Sequence, residues 1–279
     1  MTQWTLDRTF TFRDQIVRYT TFGDGPALVL IHGTPFSSWV WHRIAPYLAQ
    51  NRKVHVYDLL GYGQSEQREG EDVSLGVQNG LLAALFEHWR LDAPDVVAHD
   101  FGGATALRTH LIDGCDYASL TLIDPVAVAP WGSPFVQHVR EHAAAFAGLP
   151  AYIHEAIVKT YIRGALAKTI ADDDLAPYIA PWLGDVGQPA FYRQIAQMDQ
   201  RFTDEVEARY PQIRCRTQIL WGENDAWIPI ERGRHLASVV PNARFQAVPG
   251  AGHLTAGRRA GSDRRGGVTV DRLTATHAA

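Results

Sequence analysis

The sequence predicts a mostly parallel, doubly wound α/β sheet carrying an inserted block of helices, on three observations. Short apolar runs alternate with longer helical patterns over residues 1–125 and again over 211–254. Two of those runs, Ala27–Ile31 and Val96–His99, are apolar with no alternation, as strands covered on both faces must be. Between them and the last strands, residues 126–210 carry no strand pattern, only helical stretches cut by Pro150, Pro177, Pro181 and Pro189.

Taken in order, Thr9–Phe12 and Ile16–Phe22 alternate as two strands joined near Arg13-Asp14, and Gly23-Asp24-Gly25-Pro26 ends the second. Ala27–Ile31 runs into His32-Gly33-Thr34-Pro35, and Trp39–Gln50 reads as one helix. Val54–Tyr57 is a strand ending at Asp58 and a glycine-rich loop through Ser65. Ser74–Trp89 is a helix with Leu75, Leu81, Leu82, Leu85 and Phe86 for its buried face. Val96–His99 is followed by a helix over Phe101–Asp113, and Leu120–Ile123 is the next strand. After the insertion come a strand at Gln218–Trp221, a helix at Ile230–Val240 and a strand at Arg244–Val248.

Thr255–Ala279 breaks the pattern. It holds five arginines among glycines and few large apolar residues, a composition expected to be disordered where a closing amphipathic helix would be expected. A truncated or frame-altered terminus is one explanation.

The chain has 279 residues, 46% hydrophobic and 20% charged, with a formal net charge of −4. That is enough for one large core, and the absence of a basic stripe argues against a nucleic-acid partner. Cys115 and Cys215 suggest no disulfide framework. The start lacks a leader pattern, and no run approaches the ~20 apolar residues of a membrane span, so a soluble, cytoplasmic protein with no membrane partner is expected. No metal-ligand spacing, P-loop or dinucleotide motif is evident, so no metal and no cofactor are implied. Oligomeric state is open.

The chemistry gathers at strand ends. In Ala98-His99-Asp100-Phe101-Gly102-Gly103 a buried strand ends in a sharp turn, and small residues flank a reactive side chain before a helix begins. Asp100 at the tip reads either as a helix N-cap or as a nucleophile, and the small neighbours favour the nucleophile. Asp225, in Trp221-Gly222-Glu223-Asn224-Asp225, and His253, in Gly250-Ala251-Gly252-His253, follow later strands. The order Asp100, Asp225, His253 is nucleophile, acid, base. Asp124, before Pro125, is an alternative acid or a turn former. Backbone amides at Thr34 and Phe101 are candidates for stabilising an anion at the positive end of the helix after the turn.

With these motifs in place, residues 10–254 resemble the α/β-hydrolase superfamily. The aspartate elbow, His32-Gly33-Thr34-Pro35, Trp41 and Asp58…Gly61-Tyr62-Gly63…Ser65 are similar to its epoxide hydrolase and haloalkane dehalogenase branch. The resemblance implies an α/β-hydrolase fold with a helical cap over 126–210. It also implies an alkyl-enzyme ester on Asp100, hydrolysed by water that His253 activates while Asp225 orients the base. A small apolar organic substrate and water would be the only partners. His253 is expected to be neutral near pH 7 so that it can accept the proton.

What the resemblance implies for the leaving group divides the branch. Dehalogenases hold halide with a Trp directly after the nucleophile and an Asn or second Trp, where this chain has Phe101 and Thr34. Trp131 or Trp182 would have to substitute from the cap. Epoxide hydrolases protonate the opening oxygen with cap tyrosines, for which Tyr152, Tyr161, Tyr178 and Tyr192 are candidates. The expectation is an epoxide hydrolase-like enzyme, with haloalkane dehalogenase as the alternative and a lyase or ligand-binding receptor as the reading from another class.

Overall fold

The computed structural model describes residues 4–254, so the expectations for Thr255–Ala279 lie outside the described residues. Eight strands form one sheet in the order β1-β2-β4-β3-β5-β6-β7-β8. β1 (Arg8–Phe12) and β2 (Gln15–Phe22) form a hairpin whose two turn residues, Arg13 and Asp14, both have positive φ (50° and 61°). That turn matches the right-handed twist of the paired strands. β2 lies antiparallel to β4 (Lys53–Tyr57), and every other neighbouring pair is parallel.

β3 (Ala27–Ile31), β5 (Asp95–His99) and β6 (Ser119–Ile123) are the centre of the sheet and are almost wholly buried, which explains their unbroken apolar sequences. α2 (Leu75–Trp89) and α3 (Phe101–Leu111) cover the sheet, with Leu81, Leu82, Leu85, Ala106 and Leu107 at most 0% exposed. β7 (Arg216–Gly222), α9 (Ile230–Val239) and β8 (Arg244–Val248) complete the winding.

One expected helix is broken. Residues 39–50 form a 3₁₀ turn over Ser38–Trp41, then a separate short helix α1 (Ala45–Leu48). Pro46 has no amide to give to the carbonyl of His42, so a continuous ladder cannot pass through it. The Ile44 amide bonds back three residues, to Trp41, instead.

Between β6 and β7 run five helices: α4 (Pro134–Ala147), α5 (Ala151–Gly164), α6 (Asp172–Ile179), α7 (Gly184–Ala196) and α8 (Arg201–Glu207). They follow the carboxyl end of β6. β3 pairs with β4 on one side and β5 on the other, so the winding reverses between β3 and β5. A crevice opens at such a point, and the loops after β3 and β5 line it.

Candidate active site

The elbow is built by close approach. Asp100 sits at φ 51°, ψ −118°, a conformation an L residue adopts only when its surroundings impose it. Its amide donates to the Ile123 carbonyl, and its own carbonyl accepts from Gly103 and Val126, which fixes the turn between β5, α3 and the chain after β6. A Cβ on Gly102 would lie 2.5 Å from the His32 carbonyl oxygen, and one on Gly33 2.4 Å from the Asp100 carboxylate. Only glycine lets the β3 loop and the elbow come this near to each other.

The β3 loop thereby points its backbone at Asp100. Thr34 N–H donates to Asp100 Oδ1 at 2.7 Å. Asp100 is 3% exposed, so that charge-assisted bond is made away from solvent. His32 shapes the loop: its Nδ1 donates to the Gly33 carbonyl, and its Nε2 accepts from the Leu59 amide at 2.9 Å. An accepting Nε2 makes this ring neutral, in accord with burial, which pushes its pKa down. Asp58 accepts from the Ser38 and Gln64 amides (2.6 and 2.7 Å) and so holds the loop after β4.

The other two chain segments meet the elbow from the far side of the sheet centre. His253 Nδ1 lies 2.8 Å from Asp225 Oδ2, and its Nε2 lies 3.3 Å from Asp100 Oδ2, without hydrogen-bond alignment. Asp225 Oδ1 accepts the amides of Trp227 and Ile228 (2.8 and 3.0 Å), so the carboxylate is oriented from both ends. The backbone of His253 is held in turn, because His99 Nε2 donates to its carbonyl at 3.0 Å. Asp124, the alternative acid, is not the partner of this imidazole: its Oδ1 accepts the Gly222 amide at 2.7 Å and joins β6 to β7.

Protonation departs from the expectation of a neutral base. Burial pushes the His253 pKa down, but the charge of Asp225 and the carboxylate of Asp100 outweigh it, and the value sits well above the ordinary one. Burial raises Asp225, while His253 and the two amides lower it further, so the net shift is down. The two neighbouring carboxyl groups thus favour the protonated form of this imidazole over the neutral one. Neutralising Asp100 as an ester would remove one of the charges that hold the proton. His99, buried beside this cation, has its pKa pushed down to about 4 and stays neutral.

A pocket of about 400 Å³, counting its open mouth, lies over Asp100. Its walls are chiefly apolar, from Phe101, Val126, Trp131, Val136, Tyr161, Met198, Trp227 and Ile228. Of the four candidate tyrosines, Tyr161 alone is among these lining residues. Tyr152 is 73% exposed, and Tyr178 packs edge-on against Phe36. Tyr192 binds His154 Nδ1 at 2.9 Å. Burial and then the Asp100 charge push the Tyr161 pKa up, so its phenol keeps its proton. Both candidate indoles are engaged elsewhere: Trp131 Nε1–H donates to Thr203 Oγ1 (2.8 Å) and Trp182 Nε1–H to the Pro35 carbonyl (2.6 Å).

Two residues of the site carried no role in the sequence reading. Trp227 stacks on Tyr161 (4.6 Å, 19°) and lies tilted over His253 at 4.9 Å. Its place two residues after Asp225 was a signal, since that loop approaches His253. Gln194 on α7 is 2% exposed, and its Oε1 accepts from both Thr34 Oγ1 (2.7 Å) and Tyr62 Oη (3.1 Å). It thus joins the inserted helices to the loop that holds Asp100. Gln194→Leu would remove the shared acceptor of two buried hydroxyls and leave only their mutual contact, and we expect a loss of about 2 kcal/mol in urea unfolding. An unchanged midpoint would show that the contact contributes nothing.

The sequence matches the profile of the alpha/beta hydrolase family over residues 28–261. It is 54% identical to an alpha/beta hydrolase fold protein from Burkholderia ambifaria, covering 91% of this chain and 93% of that one with a TM-score of 0.89. A 2-hydroxy-6-oxo-2,4-heptadienoate hydrolase from Pseudomonas putida is 25% identical over 247 residues, 83% of each chain. A meta-cleavage product hydrolase shares the fold at 16% identity and a TM-score of 0.75, covering 90% of this chain and 92% of that one.

Proposed function

The chain belongs to the alpha/beta hydrolase family, and from that premise we propose that it hydrolyses small apolar epoxides to diols through an ester on Asp100. The inserted residues 126–210 act as the cap that keeps the reaction from bulk water. The observation that carries this reading is the pairing of a buried carboxylate at the elbow with one phenol, Tyr161, on the wall of the same apolar pocket.

In the first step Asp100 Oδ2 attacks an epoxide carbon and the carbon–oxygen bond breaks. The freed electron pair on oxygen takes the Tyr161 proton. Oδ1 remains bonded to Thr34 N–H, which is then placed to stabilise charge on that oxygen during hydrolysis. In the second step the esterified Asp100 has lost its charge, the proton on His253 passes to the Tyr161 phenolate and re-forms the phenol, and the neutral imidazole then takes a proton from water. Hydroxide attacks the ester carbonyl carbon, the diol oxygen leaves with a proton, and carboxylate and phenol are restored. Epoxide and water give diol, with no other reactant.

The halide alternative has less support. Phe101 has no N–H, and the indoles of Trp131 and Trp182 are already bonded.

Tyr161→Phe tests the assignment. We expect kcat for an aryl epoxide to fall about 10²-fold, since a positioned acid contributes on that scale. Bromoalkane turnover, if any, would be unaffected, because a halide leaves unprotonated. Diol formation at the unaltered rate in this variant would remove Tyr161 from the mechanism.

A further inference from the structure

Outside this pocket, one group of side chains on α4 has the composition of a transition-metal site. His138, Glu141 and His142 occupy positions i, i+3 and i+4, one face of a helix. One ligand atom from each lies within 4.8 Å of the other two. The two imidazoles are already turned toward one another, with ring centroids 4.7 Å apart and planes at 68°. His142 Nε2 is 3.9 Å from Glu141 Oε2.

Two further observations separate this group from an ordinary exposed helix face. The His138 ring is held edge-on against Phe146 at 5.6 Å, so part of its freedom is already spent. The backbone at His142 leaves the helix (φ −130°, ψ 29°), a local kink where the three side chains converge. The neighbouring cation does not compete, because Arg140 is directed to Asp199 at 4.0 Å.

We propose that His138, Glu141 and His142 bind one borderline divalent transition ion, Zn²⁺, Ni²⁺ or Cu²⁺, with solvent in the remaining coordination positions. Two imidazoles and one carboxylate select these ions over Mg²⁺ and Ca²⁺, which prefer all-oxygen shells. Ligand bonds of about 2.0–2.2 Å require the donor atoms to draw together by roughly an ångström, which exposed side chains do by rotation. The ion would tie the turn before the kink to the kink itself. Ser133 and Val136, at the start of this helix, line the pocket, so binding would stiffen that wall.

The test uses the full chain and the metal alone, independent of any substrate. Calorimetric titration with Zn²⁺ in chelator-free buffer is expected to show one equivalent bound near micromolar Kd. Zn²⁺ should also raise the Tm. His142→Ala is expected to weaken binding more than tenfold and Glu141→Gln by less, with both proteins folding as before because these side chains are exposed. Cu²⁺ electron paramagnetic resonance should show coupling to two nitrogens. No binding at 100 µM Zn²⁺ overturns the proposal, as does unchanged binding in the His138→Ala, His142→Ala double variant.

Discussion

Asp100→Asn is expected to abolish epoxide turnover, by on the order of 10⁴-fold or more, while leaving the fold intact. An amide cannot become the ester intermediate, yet its oxygen can still accept the Thr34 N–H that now binds Oδ1 at 2.7 Å. The same change removes one of the charges that hold the proton on His253, so the His253 titration should move down in the variant. Its effect on stability has a definite sign. A histidine whose folded pKa is raised stabilises the protein fully below about pH 6.5, and the benefit is lost as pH rises through the folded value. With that value lowered, the variant should lose the benefit at a lower pH than the parent. Diol analysis, histidine NMR titration and urea unfolding against pH read the three effects. Turnover within tenfold of the parent would exclude a carboxylate nucleophile at this position.

His253→Gln should stop the reaction halfway. Attack by Asp100 needs no base, but hydrolysis of the ester does, so the alkyl-enzyme should accumulate on the peptide that carries Asp100. Its mass also identifies the leaving group. Opening an epoxide adds the whole substrate mass, whereas displacement of a halide adds that mass less one hydrogen halide. A variant that binds the substrate, shows no adduct and gives no product would point to a pocket that holds its ligand without chemistry.

The sheet and the meeting of Asp100, Asp225 and His253 at the strand ends were legible because both rest on local rules. Unbroken apolar runs mark strands covered on both faces, and Ala98, Gly102 and Gly33 record how closely two segments approach. Chain order favoured Asp225 over Asp124, but both follow strands and both suit turns, and it is the geometry that pairs Asp225 with His253 and Asp124 with the Gly222 amide. The pocket wall was much less legible. Tyr152, Tyr161, Tyr178 and Tyr192 all lie on helical patterns in the insertion, and nothing local says which face of each helix meets the elbow. Tertiary packing gave that position to Tyr161, left Tyr152 in solvent and committed Tyr192 to His154. Protonation was hidden for a related reason. The pKa of His253 depends on two carboxylates, one 28 and the other 153 residues before it in the chain, and sequence order alone does not give their distances.

The segment bearing His253 is also fastened to the inserted helices, since the Leu254 amide donates to the carbonyl of Ala165, just past α5, at 3.0 Å. α5 carries Tyr161, which stacks on Trp227, and Trp227 in turn covers His253. Tyr161 and His253 therefore ride on one anchored block. Trp131, Ser133, Val136 and Met198 line the same pocket from other segments of the chain. Substitutions at those four positions are therefore expected to change which molecules fit the pocket while leaving the block that carries Tyr161 and His253 in place.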